Sequence, residues 1–212
     1  MILFFGPDGA GKTTLARMLR EYFIKNGKPK VRISWIRGTH TLALLIASFL
    51  SKFRSMKGFD NFYFNIKVRE KDKIWQFIEF ISLVPLIFLR YYLPDKTGYI
   101  VIGERSPIDS LVWVMTTTKD PAYYKTVFGK FLLSFSCTAH IIVYVTARQD
   151  ILLKRRLNEK IKLSLLEKQN HLYENIYKIL QENRTGTKIY RLDTSNKKPI
   201  SSSFEIIKAL KS

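Results

Sequence analysis

The sequence Gly6-Pro7-Asp8-Gly9-Ala10-Gly11-Lys12-Thr13-Thr14 decides the fold of this chain. It fits the pattern G-x-x-x-x-G-K-[ST], follows an apolar run at residues 2–5, and precedes apolar residues at helical spacing. A strand, a glycine-rich loop and a helix in this order direct backbone N–H groups at phosphate oxygens. In such a loop Lys12 reaches the β and γ phosphates of ATP, and the Thr13 hydroxyl binds Mg²⁺. The segment therefore predicts a phosphate-binding loop.

The composition predicts one domain, residues 1–212, because 46% of the residues are hydrophobic and 14% are aromatic. The first predicted strand begins at residue 2, so we expect no leader, and a single Cys137 excludes an internal disulfide framework. Both features favour the cytoplasm. The net charge of +19 attracts polyanions, but no dense basic block occurs, so nucleic-acid binding is not the favoured expectation.

Four further apolar segments are typical of strands: residues 31–36, 99–102, 141–145 and 189–192. Helical stretches separate them, which predicts an α/β fold of the P-loop NTPase type, with a five-stranded parallel sheet flanked by helices on both faces. Ligands bind at the carboxyl ends of the strands in such sheets. Arg37 and the run Glu104-Arg105-Ser106 follow two of these strands, so we expect them near the phosphate-binding loop.

Residues 74–93 form an apolar stretch long enough to cross a membrane. Glu79, Pro85 and Arg90 within it favour a buried helix or a bent helix pair, so we expect no stable membrane insertion. Peripheral attachment remains an alternative, because residues 42–50 add a second apolar surface. Residues 41–53 and 74–93 are candidates for a homodimer interface.

The chain resembles the thymidylate kinases, a family of P-loop nucleoside monophosphate kinases. The phosphate-binding loop is similar to the family's own, and residues 103–110 resemble its aspartate-arginine-tyrosine segment. Arg37 stands where the family has an arginine-glutamate-proline-glycine loop. Residues 141–155 resemble the strand and the first part of the lid, which we expect at about residues 148–166.

The resemblance implies that the chain transfers the γ-phosphoryl group of ATP to dTMP, forming dTDP, with Mg²⁺. It implies that Asp8, Arg37 and Arg105 bind the acceptor, and that Thr13 and Glu104 bind the metal. Lys12, Arg105 and Glu104 are implied as catalytic. Gly9 occupies a position that carries an arginine in one subclass of the family, so this chain is similar to the subclass with lid arginines. Arg155 and Arg156 are the candidates.

The sequence indicates the identity of the acceptor less clearly than it indicates phosphoryl transfer from ATP. The family's base-contacting arginine falls near Ser82 by count, where this chain has no arginine, and Ser106 replaces the family's tyrosine. A kinase of the same fold with another nucleotide or a lipid-linked acceptor is therefore an alternative. A second alternative is a nucleotide-dependent regulatory or nucleic-acid-associated protein that uses the loop only to bind nucleotide.

Overall fold

A parallel sheet of five strands forms the centre of the computed structural model, which describes residues 1–36, 42–53, 66, 68–155, 163–183 and 186–211. The strand order is β2-β3-β1-β4-β5, and every neighbouring pair is parallel. This confirms the predicted α/β fold class. The strands are β1 (Ile2–Phe5), β2 (Val31–Trp35), β3 (Ile100–Arg105), β4 (Ile141–Thr146) and β5 (Lys188–Asp193).

Helices connect the strands and cover both faces of the sheet. In chain order they are α1 (Lys12–Lys25), α2 (Leu42–Leu50), α3 (Lys73–Ile87), α4 (Leu93–Lys96), α5 (Pro107–Thr117), α6 (Val127–Ser136), α7 (Gln149–Arg155), α8 (Leu163–Glu182) and α9 (Pro199–Lys211). A short 3₁₀ turn (Tyr123–Lys125) lies between α5 and α6.

Strand β1 shows how the two faces form, because successive side chains of a strand point to opposite sides. Ile2 and Phe4 pack into the cluster that contains the buried residues of α1 and α9. Leu3 and Phe5 pack into the cluster that contains those of α3, α5 and α8. All four side chains are buried, as expected for a central strand covered on both faces. The phosphate-binding loop therefore extends from the middle of the sheet.

Strand β3 extends beyond residues 99–102, the segment in which the sequence pattern predicts a strand. It continues through Gly103, Glu104 and Arg105, because its backbone pairs with β2 as far as the register Trp35↔Arg105. Glu104 and Arg105 are therefore the last residues of the strand rather than part of the following loop. Their backbone is fixed by the sheet, which holds both side chains at the edge where β1 ends.

Residues 73–96 form one continuous helix of 24 residues, made of α3, a π-helical turn (Phe88–Tyr92) and α4. Pro85 lies inside α3 without ending it. One side of the helix packs against the sheet, whereas apolar side chains on the other side are exposed, so the expectation of a buried helix holds for one face only. Within the described residues, this helix is the one that meets the length and apolarity of a membrane span, a test that core helices also pass.

The π-helical turn contacts the ends of β2 and β3. Ser34 donates a hydrogen bond to the Arg90 carbonyl (2.6 Å), and the Arg90 guanidinium donates to the Trp35 carbonyl (2.8 Å). The Tyr91 hydroxyl donates to the Arg105 carbonyl. The long helix is thereby attached to the site edge of the sheet.

Candidate functional site

The phosphate-binding loop connects β1 to α1, and three of its glycines, Gly6, Gly9 and Gly11, have positive φ angles. Gly11 is the N-cap residue of α1 and has a φ of +96°. Gly6 has a φ of +138°, and a Cβ atom there would lie 2.0 Å from the Val145 carbonyl oxygen. Both conformations are strained for residues with a side chain, so the glycines of the motif are explained by backbone geometry.

Lys12, the first residue of α1, folds back onto the start of the loop. Its Nζ donates hydrogen bonds to the Gly6 carbonyl and to the Pro7 carbonyl (2.9 Å). It also lies 3.8 Å from Asp8 Oδ1 and 4.0 Å from Asp109 Oδ1. Burial lowers the pKa of Lys12, and the two carboxylates partly counter that shift.

Thr13 and Glu104 meet across the site, with the Thr13 hydroxyl donating to Glu104 Oε1 at 2.5 Å. This hydrogen bond uses the proton of the hydroxyl and leaves the lone pairs of Thr13 Oγ1 available. Hydroxyl and carboxylate oxygens are the ligands that Mg²⁺ accepts, usually together with waters and phosphate oxygens. The pair therefore fits the predicted Mg²⁺ role, although no cluster of three or more His, Cys, Asp or Glu side chains occurs in the described ranges.

Arg105 forms an ion pair with Asp8, with 2.7 Å between Nη2 and Oδ1. Burial lowers the pKa of Arg105, but Asp8 and Asp109 more than offset that effect, so the pKa lies above its ordinary value. The pair joins the phosphate-binding loop to the end of β3. The two side chains predicted to bind the acceptor thus lie together, and both are partly exposed.

Arg155, at the end of α7, lies on the other side of the loop. Its guanidinium donates to the Gly9 carbonyl (3.1 Å), to Thr194 Oγ1 (3.1 Å) and to the Thr194 carbonyl (3.0 Å). Thr194 in turn donates to the Ala10 carbonyl (2.9 Å). Arg155 is therefore held beside the loop by backbone carbonyls. Arg37 and Arg156 lie outside the described residues.

These side chains surround one cavity of about 400 Å³ at the carboxyl edge of the sheet. Its lining combines residues 8–15 with side chains from the ends of β3, α7 and β5 and the start of α9: Glu104, Arg105, Arg155, Thr194, Lys197, Pro199 and Ser202. Four of the lining residues are cations: Lys12, Arg105, Arg155 and Lys197. Such a lining can hold a polyphosphate and a second anion.

Asp109 lies in this region but had no role assigned from the sequence. Asp109 carries a detectable signal, because Ser106 and Asp109 form the S-x-x-D capping box that begins α5. Its further contacts with Gly6 and with Tyr173 of α8 join segments far apart in the sequence, so no local pattern reports them.

Ser82, the position where the family's base-contacting arginine was sought, lies on the buried side of α3. Its hydroxyl donates to the Ile78 carbonyl within the same helix at 2.7 Å. A hydroxyl that is satisfied by its own helix offers little to a base. The geometry therefore gives no base contact at this position.

Known proteins similar to this chain were found by comparing structures and not by comparing sequences. No family model and no curated protein matches the sequence. Among solved structures, the chain is similar to the thymidylate kinase from Candida albicans, with a TM-score of 0.64, 15% identity, and coverage of 99% of this chain and 90% of that one. It is also similar to the deoxyadenosine kinase from M. mycoides, with a TM-score of 0.56, 14% identity, and coverage of 99% and 98%. The chain therefore has the thymidylate-kinase-like fold of the P-loop nucleoside monophosphate kinases.

Proposed function

We propose that the protein is an ATP-dependent kinase of nucleoside monophosphates, with dTMP as the preferred acceptor and the cytoplasm as its location. One observation carries the proposal: Lys12, the Thr13–Glu104 pair and Arg105 converge on one cavity next to a phosphate-binding loop. Phosphoryl transfer needs little covalent chemistry from the protein, so positioning and charge neutralisation are the main requirements. The cavity supplies both.

Lys12 acts on the donor side of the reaction. Its Nζ leaves the Gly6 and Pro7 carbonyls and moves to the β and γ phosphates, where a cation stabilises the charge that spreads over the equatorial oxygens. Thr13 and Glu104 are the residues that would hold Mg²⁺, which supplies charge neutralisation between the phosphates when bound. Arg155 flanks the same loop and belongs to the predicted lid.

Arg105 acts on the acceptor side. The planar guanidinium of an arginine can donate two hydrogen bonds to two oxygens of a phosphate monoester, and Arg105 remains charged at any physiological pH. Asp8 holds this guanidinium in place before the acceptor arrives. We expect the acceptor phosphate to take over part of the Asp8 contact, which leaves Asp8 beside the acceptor sugar.

A deoxynucleoside acceptor is a second candidate, because one of the similar structures is described as a deoxyadenosine kinase. A nucleoside brings a hydroxyl rather than a phosphate, so it needs a nearby base instead of a cation. The carboxylates of Asp8 and Glu104 line the same cavity and offer that alternative.

The test is ADP release from ATP and Mg²⁺ with dTMP, dUMP, dGMP, CMP, UMP and AMP, next to thymidine, deoxycytidine and deoxyadenosine, and a reaction without acceptor. The Lys12→Ala variant serves as the catalytic control, and Lys28→Ala, which changes an exposed lysine, as the matched surface control. Turnover that is fastest with dTMP and lost only in Lys12→Ala supports the proposal. Turnover with nucleosides alone moves the assignment to a deoxynucleoside kinase. Slow, acceptor-independent hydrolysis instead supports a nucleotide-dependent regulator.

We also propose a homodimer formed by the apolar surface of α2, α3 and α6. The exposed apolar side chains of α3 lie on one side of the helix, at Ile74, Phe77 and Ile81. Phe77 contacts Phe128 of α6, with 5.7 Å between ring centroids, and α2 packs beside α3. A contiguous apolar area of this kind is typical of a protein interface.

Sedimentation at several protein concentrations tests the dimer. Phe77→Glu should shift the protein to a monomer, whereas Phe204→Glu, the same change at an exposed aromatic residue of α9, should not. A wild-type protein that stays monomeric at high concentration contradicts the dimer. If that monomer binds anionic vesicles through Phe77, the surface is a peripheral membrane contact instead.

A further inference from the structure

Asp109 connects three elements of the site. Oδ1 accepts hydrogen bonds from the Gly6 N–H (3.2 Å) and from the Tyr173 hydroxyl (3.1 Å). Oδ2 accepts from the N–H (2.8 Å) and the hydroxyl (3.3 Å) of Ser106. The carboxylate is 6% exposed. A buried carboxylate with four donors fixes the relative positions of the groups that donate to it.

The charge of Asp109 is balanced by the cations of the site. Its Oδ1 lies 4.0 Å from Lys12 Nζ. Burial raises the pKa of Asp109, and Lys12 and Arg105 counter that shift. In the proposed reaction Lys12 moves to the nucleotide phosphates, so Asp109 then depends more strongly on its four hydrogen-bond donors.

We propose that Asp109 is a positioning residue that couples helix α8 to the phosphate-binding loop through the Tyr173 hydroxyl. Tyr173 is the residue of α8 in this connection, and α8 begins at Leu163, inside the segment expected to form the lid. Gly6 is the first residue of the loop, and its N–H is held by the same oxygen that Tyr173 contacts. The inference deepens the proposed kinase function and rests on it for its role in turnover.

On the α8 side the connection consists of the Tyr173 hydroxyl alone, so removing that one group tests the coupling. Tyr173→Phe removes the donor to Asp109 and keeps the ring, which is 7% exposed and lies beside Phe5 (6.3 Å between centroids). Tyr177→Phe is the matched control, because Tyr177 lies one turn further along α8 and its hydroxyl accepts from Gln181 rather than from the site.

Amide hydrogen exchange without nucleotide is the first measurement. We expect the Gly6 amide to exchange roughly tenfold faster in Tyr173→Phe than in wild type or Tyr177→Phe, since hydrogen bonds to charged groups are the stronger ones. Equal exchange in the two variants overturns the coupling. Uniformly faster exchange throughout Tyr173→Phe also overturns it, because that result indicates only lost core stability. This exchange measurement requires no catalytic activity, so it tests the coupling even if the protein is not a kinase.

The second measurement adds a non-hydrolysable ATP analogue and Mg²⁺. Protection of amides near residue 173 should appear in wild type and Tyr177→Phe and be lost in Tyr173→Phe.

In turnover, Tyr173→Phe should lower kcat about tenfold and change the KM for ATP less than twofold. Combining Tyr173→Phe with Asp109→Asn should add nothing further, because both changes break one connection. Additive effects, or an unchanged kcat, contradict the coupling. Failure of every variant to bind the analogue rejects the kinase function and leaves the first measurement to decide the coupling.

Discussion

Glu79 of α3 provides a test of the packing between α3 and α5. Its side chain is fully buried beside the indole rings of Trp75 and Trp113. Burial raises the pKa of Glu79 to about 7, and the indole N–H groups oppose that shift only in part. We therefore expect Glu79→Gln, a neutral side chain of the same shape, to change how stability depends on pH.

The magnitude follows from the two protonation equilibria. The folded protein holds the Glu79 proton more tightly than the unfolded chain does, where the ordinary value is 4.5. The stabilisation by the protonated form is therefore complete below about pH 4.5 and is lost as the pH rises to about 7. At roughly 1.4 kcal/mol for each pH unit, this carboxyl lowers the free energy of unfolding by about 3 kcal/mol between these limits.

Urea unfolding at pH 5, 6, 7 and 8 measures the effect. Glu79→Gln should be close to wild type at pH 5 and more stable by up to about 3 kcal/mol at pH 8. Glu182→Gln, which changes an exposed carboxylate of α8, should keep the wild-type pH dependence. If wild type and Glu79→Gln show parallel stability curves across this range, Glu79 is not the buried titrating group and the reasoning is wrong.

Three further predictions concern the loop and the acceptor side. Lys12→Ala should lower kcat about 10²–10³-fold, or about 3–4 kcal/mol, because a charge-stabilising group is lost; an unchanged kcat in the ADP-release assay rejects its role. Arg105→Ala should raise the KM for the acceptor far more than that for ATP, and equal effects on both would show a purely structural ion pair with Asp8. Gly6→Ala should lower the free energy of unfolding at least about 2 kcal/mol more than Gly98→Ala, since both have positive φ but only Gly6 would contact the Val145 carbonyl; equal losses in urea unfolding contradict this.

The fold was predictable because its signals are local. Each of the five strands contains a short segment rich in β-branched or aromatic residues, and the loop after β1 carries a motif whose glycines are required by its own backbone. The end of β3 was less predictable, since Gly103, Glu104 and Arg105 are not a strand-like sequence. Pairing with β2 extends the strand over them, and that pairing is a property of the sheet.

The sequence pattern marked several of the residues that line the cavity, but it did not predict how they pair. Sequence order places Glu104 next to Arg105, yet Glu104 contacts Thr13 and Arg105 contacts Asp8. The register between β2 and β3 shifts here, from Ser34↔Gly103 to Trp35↔Arg105, so simple strand alternation does not predict where the Glu104 and Arg105 side chains point. The contact of Lys12 with the Gly6 carbonyl was not predictable either, because it depends on the three-dimensional path of the loop. The roles of all these residues in turnover stay predictions.

Because of the π-helical turn at Phe88–Tyr92, the number of residues in the long helix determines which of its side chains face the sheet. A π turn holds one residue more than an α turn, so deleting any one residue there would restore α geometry. Every earlier position would then rotate by about 100° around the helix axis relative to the sheet. Ile74 and Ile81 would take the buried positions of Trp75 and Ser82, and Glu79 would take the half-buried position of Phe80. Single substitutions in this segment should therefore disturb the packing of α3 less than a one-residue deletion does.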